Sequence, residues 1–154
     1  MPKKNLTVVL FLYICAAFPI SAASVSFLVI ETGLPPGTPE HQYSVLWENN
    51  LLDIFFDSEH IVSNSPLLRL SEKPTDDFPE EAGNAFNEAR KGGMEFFIIA
   101  VVEHPENNVS MRLFNTESRY MIRKQEYTRI IPSTAREERE NIRNAIRVMV
   151  ARLN

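Results

Sequence analysis

Three side chains suited to acid–base chemistry follow two strongly apolar segments of the sequence. Glu31 follows residues 25–30, and Glu103 and His104 follow residues 94–102. If both segments are parallel strands, their carboxyl ends meet in the crevice where the strand order of an open α/β sheet reverses. Two carboxylates and an imidazole placed there have the functional groups for general acid–base catalysis or for holding a divalent ion. The sequence therefore offers one candidate catalytic site, that of a small hydrolase or a metal-dependent enzyme.

A structural role for these three residues is the favoured interpretation. Polar residues are expected wherever a strand leaves the core, and no common catalytic motif accompanies them. The sequence contains no glycine-rich phosphate loop, no HExxH, no GxSxG and no paired CxxC. His41 and His60 fall in loop or helix-end positions and have no metal-ligand spacing. We therefore expect a protein without catalytic activity, metal or cofactor, and keep the enzyme as the alternative.

Arginines on the last predicted helix form a second candidate site. They follow one stripe beside the apolar face and are Arg136, Arg139, Arg143 and Arg147. A planar guanidinium binds carboxylates or phosphates with two hydrogen bonds at once, so the stripe would suit an acidic envelope protein or an anionic surface. In the alternative interpretation, the glutamates at positions 137, 138 and 140 form ion pairs with the stripe at helical spacings, and the surface is simply solvated.

The first predicted helix is apolar on two sides. One face carries Tyr43, Trp47, Leu51 and Ile54, and the nearly opposite face carries Val45, Leu52 and Phe56. Packing between the sheet and the last helix would bury both faces, and this arrangement is favoured. An open second face would instead bind a partner or another copy of the chain.

The amino-terminal segment, residues 1–23, is typical of a secretory signal peptide. Lys3 and Lys4 precede an apolar stretch at residues 6–18, and small residues lead up to a cleavage site after Ala23. The apolar stretch is shorter than the ~20 residues that span a bilayer, so a retained membrane anchor is the less favoured alternative. The mature chain is then expected to have no transmembrane segment.

Cleavage at that site leaves a single domain at residues 24–154 without cysteine. Cys15 is the one cysteine of the chain, and it follows a bulky isoleucine where lipoprotein cysteines follow a small residue, so we expect no lipid on it. The mature chain therefore has no disulfide, thiolate metal site or cysteine nucleophile. A cysteine-free exported chain indicates a bacterial envelope, with a periplasmic or secreted location.

Charge is distributed unevenly along the mature chain. Without Lys3 and Lys4 there are 14 basic and 20 acidic residues, a net charge of −6, which argues against nucleic acid as a partner. Residues 24–104 carry a net charge of −10, whereas residues 105–154 carry +4. The halves are expected to neutralise each other within one fold; a basic face offered to an anionic partner is the alternative.

The element order predicts a three-layer α/β domain with a mixed sheet. Strands are expected at residues 25–30, 61–64, 94–102, 109–113 and 119–127, and helices at residues 39–56, 79–91 and 134–154, which gives the order βαβαββα. Right-handed crossovers make the first three strands parallel, in the order second, first, third, with the hairpin beyond. Helices then cover both faces, and the loop at residues 67–78 can fold over the crevice. Thr134 and Glu137 form a capping box for the last helix.

This order resembles the amino-terminal domain of TolB and the outer-membrane lipoprotein activators of penicillin-binding proteins. The resemblance rests on the opening strand at residues 27–30 and on the apolar strand at residues 97–102, which precedes the hairpin at residues 109–127. The chain departs from these proteins in lacking a lipobox and a following propeller repeat. The resemblance implies a non-enzymatic envelope protein that works by docking on other proteins.

Overall fold

A computed structural model describes residues 22–131, 133–151 and 153 of the chain. All but the last two residues of the predicted signal peptide lie outside this described part, so the signal peptide stays a prediction. No helix in the described part is both long and apolar enough to cross a membrane.

The domain is built on a mixed sheet of six strands. These are β1 (Ser24–Thr32), β2 (Ile61–Asn64), β3 (Leu68–Leu70), β4 (Phe96–Glu103), β5 (Asn108–Asn115) and β6 (Met121–Tyr127). The order is β2-β1-β4-β5-β6, with β1 parallel to β2 and β4 and with β5 and β6 antiparallel to their neighbours. This confirms the predicted α/β class, the strand order and the parallel pairing of the two most apolar strands.

The short strand β3 was not predicted from the sequence. Strands β2 and β3 pair with successive parts of the same edge of β1. The pairing with β2 ends at Phe27↔Asn64, and the pairing with β3 begins at Ile30↔Leu68. Pro66, which cannot donate a ladder hydrogen bond, lies in the gap between the two strands. Three residues are too few for an alternation pattern to be recognised. The consequence is that Arg69 is placed directly beside Glu31.

Three helices complete the fold, namely α1 (Gln42–Asp57), α2 (Gly83–Lys91) and α3 (Ala135–Val150). Helix α1 begins three residues later than predicted, because the His41 side chain accepts the first-turn hydrogen bond and caps the helix. The amino-terminal part of the second predicted helix is instead a 3-10 turn, Glu80–Ala82. The predicted capping box of Thr134 and Glu137 is confirmed at the start of α3.

The helices cover both faces of the sheet. Alternate residues of β1 and β4 point to opposite sides, so each strand contributes to two apolar clusters. The cluster shared with α1 and α3 includes Val25, Phe27, Val29, Ile98, Ala100 and Val102, and the cluster shared with α2 includes Leu28, Ile30, Phe97, Ile99 and Val101. We name these two sides the α1/α3 face and the α2 face.

Candidate functional site

Glu31 lies in a closed polar cluster at the carboxyl end of β1. It follows the odd-numbered core residues of β1, which places its side chain on the α1/α3 face, and that side chain is 0% exposed. Arg69 Nε donates to Glu31 Oε1 over 2.7 Å, and the backbone N–H of His41 donates to Glu31 Oε2 over 3.2 Å. A second nitrogen of Arg69 donates to the carbonyl of Thr38. The carboxylate thus ties β3 and the loop before α1 to the central strand.

His104 joins the same cluster from β4. Its side chain is 1% exposed and its Nε2 lies 3.9 Å from Glu31 Oε2. Nδ1 is hydrogen-bonded to Asn107 Oδ1 at 2.5 Å and Nε2 to Ser44 Oγ at 3.0 Å. The ring of His41 packs on that of His104, with 4.1 Å between centroids. Both nitrogens of the imidazole therefore have protein partners.

Burial and hydrogen bonding set the charge state of this cluster. Burial by itself would raise the pKa of the Glu31 carboxyl, but the hydrogen bonds from Arg69 and from the His41 amide outweigh it and hold that pKa below its usual value. Burial lowers the pKa of His104, and the opposing effects of Asn107 and Glu31 only partly offset the shift. At neutral pH the cluster thus contains a carboxylate, a guanidinium and a neutral imidazole.

Glu103 does not join the other two candidate residues. It is the neighbour of His104 along β4, so its side chain points to the opposite side of the sheet, where Lys73 Nζ lies 2.6 Å from its carboxylate. The segment at residues 67–78 reaches both carboxylates, through Arg69 on Glu31 and Lys73 on Glu103, and its last residues, 76–78, then pack over β5 on the α2 face. The expected three-residue site is therefore divided between the two faces.

The chemistry open to the Glu31 cluster is limited by its closure. Within the described residues, no group of three or more histidine, cysteine, aspartate or glutamate side chains is arranged to hold a metal ion. A substrate would need access to atoms that are now packed against one another. The arrangement suits a polar brace that fixes the start of α1 against β1, β3 and β4.

Gly33 permits the close approach of two loops at this site. Its φ is +80°, and a Cβ built on it would lie 2.1 Å from the carbonyl oxygen of His104. Any side chain there would push the β4 end away from β1, besides adding the strain of a left-handed backbone. Gly33 therefore sets how tightly Glu31 and His104 are held together.

The arginine stripe on α3 is partly neutralised by the fold. Arg143 pairs with Asp57 at the end of α1 over 2.9 Å, and Arg147 pairs with Glu140 over 3.2 Å. Arg136 and Arg139 are exposed and form no ion pair with a described residue. The acidic and basic parts of the sequence thus meet at one inter-helix contact, and two arginines remain available.

The side chains on the second apolar face of α1 differ in their exposure to solvent. Val45 and Leu52 are half-buried, while Phe56 is 77% exposed. Helix α1 packs on β1 and β2 and lies beside α3, which contacts β6 on the same side of the sheet, so the expected burial of both α1 faces between the sheet and α3 is wrong. A groove of 360 Å³ beside α1 is lined by Leu52 and Arg139, among others. Two residues predicted to bind a partner are thereby brought together, one apolar and one basic.

Four residues of the Glu31 cluster were missed in the sequence, namely His41, Ser44, Arg69 and Asn107. Ser44 and Asn107 are ordinary polar residues of a helix and a turn, and neither has a spacing that indicates a role. Arg69 gives one available signal, because basic residues are rare in this strongly acidic half of the chain. A buried carboxylate needs a cation, and Arg69 is one of only four basic residues in residues 24–104.

Comparison with known proteins finds similar structures but no similar sequence. Neither the comparison with protein-family models nor the search of curated proteins finds a match. Among solved structures, a PelC dodecamer from Paraburkholderia phytofirmans is 11% identical, covers 81% of this chain and 85% of that one, and superposes with a TM-score of 0.48. The LpoB C-terminal domain from Escherichia coli is 13% identical, with 77% and 90% covered and a TM-score of 0.42. TolB from Acinetobacter baumannii is 10% identical, with 85% of this chain covered and a TM-score of 0.44.

The likeness is one of fold. This chain spans 30% of the length of that TolB chain. The resemblance to TolB and to the lipoprotein activators that was expected from the order of elements is confirmed at this level. The shared architecture carries no residue-level information about a site.

Proposed function

We propose that this chain is an exported protein of the bacterial envelope that binds another protein and catalyses no reaction. The observation that carries the proposal is the closure of the Glu31 cluster. Its carboxylate and imidazole are 0% and 1% exposed and are hydrogen-bonded to neighbouring parts of the chain. Residues of the types that do chemistry are thus used to hold the fold, which leaves the surface to carry the function.

The binding surface we propose lies along α1 and α3. It combines the exposed ring of Phe56, the apolar side chains of Val45 and Leu52, and the guanidinium groups of Arg136 and Arg139. Aromatic and arginine side chains contribute more than most to protein interfaces, because they bury large areas and make several directed contacts. Arg136 and Arg139, which form no ion pair with a described residue, favour an acidic protein as the occupant.

Site-specific photo-crosslinking tests this surface in the bacterial envelope. A photo-reactive phenylalanine analogue replaces Phe56 in the full chain, and the same analogue at Glu88, an exposed residue of α2, is the control. We expect a discrete crosslinked protein from position 56 that position 88 does not give. Changing Arg136 and Arg139 to Glu should abolish that band. Equal crosslinking from both positions, or a band indifferent to the arginines, would reject the surface.

Export has a separate test in the intact mass of the protein. We expect the mature species to begin at Ser24 and to carry no acyl chain. In the structure the N–H of Ser24 donates to Glu95 Oε2 over 3.1 Å, so cleavage there would place the new amino group beside a carboxylate. A species that begins at Cys15 with attached lipid would overturn the assignment and place the protein on a membrane surface.

A hydrolase is the second candidate, because one specific arrangement favours it. Ser44, His104 and Asn107 form a hydrogen-bonded chain in the order hydroxyl, imidazole, amide, with 3.0 Å and 2.5 Å between partners. That order is the one used by enzymes in which a base activates a hydroxyl or thiol nucleophile and a third group orients the base. Ser44 also lies in the first turn of α1, at the positive end of the helix dipole. Its complete burial argues against this role.

A fluorophosphonate probe distinguishes the two candidates. Such a probe forms a covalent bond only with an activated serine that solvent can reach. We expect no labelling of the folded protein, because Ser44 is 0% exposed. Labelling at Ser44 that disappears in His104→Gln would establish the hydrolase and reject the non-catalytic proposal.

A further inference from the structure

The segment that connects β3 to the 3-10 turn crosses the α2 face as a strap, which we define as residues 71–79. It has no regular secondary structure, and most of its side chains are exposed. Residues 71–81 contain five acidic residues and one basic residue, so like charges crowd this part of the chain. A cavity of 440 Å³ lies beside the strap and is lined by residues 70–76 and 79–81. Lys73 pairs with Glu103 near the start of the strap and Phe78 packs against Phe86 and Phe114 near its end, while the acidic side chains of this part repel one another and favour its release.

Three basic residues, which lie in β5, in β6 and in the turn between them, bind the strap. Each of them contacts a different group of the strap. Arg112 Nη1 donates to the carbonyl oxygens of Asp76 and Asp77 over 3.0 and 3.1 Å. Lys124 Nζ donates to the Asp77 carboxylate over 3.0 Å. The guanidinium of Arg119 lies 3.9 Å from the ring centroid of Phe78, a cation–π contact. Together they recognise an extended backbone that carries a carboxylate followed by an aromatic ring.

Arg112 is bound incompletely by the strap. The residue is 2% exposed, and its Nε is buried without a hydrogen-bond partner in the described structure. The nearest carboxylate oxygen, on Asp77, is 3.9 Å from Nε, too far for a hydrogen bond. A carboxylate set side-on to a guanidinium takes two parallel hydrogen bonds, which the strap does not provide. The site therefore has a donor left over for a ligand that fits better than the strap does.

We propose that Arg112, Lys124 and Arg119 form a binding site for an acidic-aromatic segment of a partner protein, and that Asp77 and Phe78 occupy this site in the free chain. This inference rests on the proposed function and names the chemistry of the partner at a second surface, on the face opposite α1 and α3. The partner segment presents a carboxylate to Arg112 and Lys124 and an aromatic ring to Arg119. It must displace the strap, so its apparent affinity is reduced by the fraction of molecules in which the strap is seated.

The test uses the strap sequence itself as the probe. A fluorescent peptide of residues 74–79, Pro-Thr-Asp-Asp-Phe-Pro, is titrated into the full chain and into Asp77→Asn, which removes the ion pair with Lys124 at a half-exposed position. We expect Asp77→Asn to bind the peptide about tenfold more tightly than the unchanged chain, because its strap is released more often. Adding Lys124→Met should reverse the gain. Lys91→Met is the matched control, since Lys91 is an exposed lysine on the same face whose ion pair lies on α2, and it should have no effect.

Three results would overturn the inference. These are an absence of peptide binding by folded Asp77→Asn, equal binding of a peptide with both aspartates changed to Asn, and full retention of binding in the Lys124→Met background. Circular dichroism checks that each variant is folded. Because the crosslinking test at Phe56 uses the opposite face, a failed peptide titration with intact crosslinking rejects this site alone. Failed crosslinking with successful titration rejects the α1 and α3 surface and leaves this site in place.

Discussion

Glu31 and Arg112 are both fully buried charged residues, one on each face of the sheet, but they are satisfied to different degrees. Glu31 is ion-paired with Arg69 and accepts a further hydrogen bond from a backbone amide. Arg112 donates to two backbone carbonyls, and its Nε has no hydrogen-bond partner among the described residues. A buried charge whose bonds are complete rigidifies its surroundings, whereas an incompletely bonded one is open to exchange. The Glu31 cluster is thus the fixed region of the fold, and the strap is the region suited to rearrangement.

The largest expected effect comes from removing the charge of Glu31. Glu31→Gln leaves Arg69 without its counter-ion at a buried contact and should lower the free energy of unfolding by about 3 kcal/mol. Urea denaturation measures the change. Glu103→Gln is the matched control: its carboxylate pairs with the half-exposed Lys73, and it should cost no more than about 1 kcal/mol. Equal losses in the two variants would contradict the difference between the faces.

Two glycines test how closely the loop after β1 packs against the end of β4 at the Glu31 cluster. Gly33 and Gly37 have nearly the same φ, +80° and +79°, but a Cβ on Gly37 meets nothing within 4 Å. Gly37→Ala should therefore cost about 1 kcal/mol of backbone strain alone. Gly33→Ala adds a clash with the His104 carbonyl and should cost about 2 kcal/mol in thermal or urea unfolding. Identical losses would mean that the two loops are not closely packed.

Acidification should also weaken the fixed region. Burial holds the pKa of His104 below its ordinary value of 6.5, so the unfolded chain binds the proton more readily and the free energy of unfolding falls as the pH drops below 6.5. The lowered pKa of Glu31 adds a second fall below 4.5, since that carboxyl is also protonated more readily when unfolded. Urea midpoints measured from pH 8 to pH 3 cover both falls. His104→Gln should remove most of the loss of stability that begins below pH 6.5. If the stability of this variant depends on pH as that of the unchanged chain does, His104 is not the cause of that loss.

The smallest effect is expected at Arg112. Arg112→Met keeps the stem volume and removes a buried charge that is incompletely bonded, so the free energy of unfolding should change by about 1 kcal/mol or less. Limited proteolysis should nevertheless cut the strap faster, because Nη1 no longer holds its carbonyls. If Arg112→Met lowered the free energy of unfolding as much as Glu31→Gln does, the two buried charges would contribute equally to stability, and the contrast between them would be wrong.

The sequence predicts the scaffold well because its information lies in long apolar runs. Residues 25–30 and 94–102 are apolar almost without interruption, which is typical of parallel strands covered on both faces, and the structure places them side by side. The site was predicted less well because its geometry depends on which face of the sheet each side chain occupies and on which distant residues contact it. Glu103 and His104 are consecutive, yet alternation sends them to opposite sides of the sheet. The partner of Glu31 comes from a three-residue strand that leaves no recognisable pattern.

The pairing of β1 with β4 has a consequence for the order in which the chain acquires its structure. Val25 aligns with Phe96, so the first strand of the domain is completed by a strand 71 residues further along. Contacts between such distant segments form slowly, because a long loop must close before any of them contributes. A chain that is threaded across a membrane amino-terminus first would present β1 on the far side well before its partner arrives. In such a chain the central β1–β4 pair could form only after β4, which ends about two thirds of the way along the sequence, had followed.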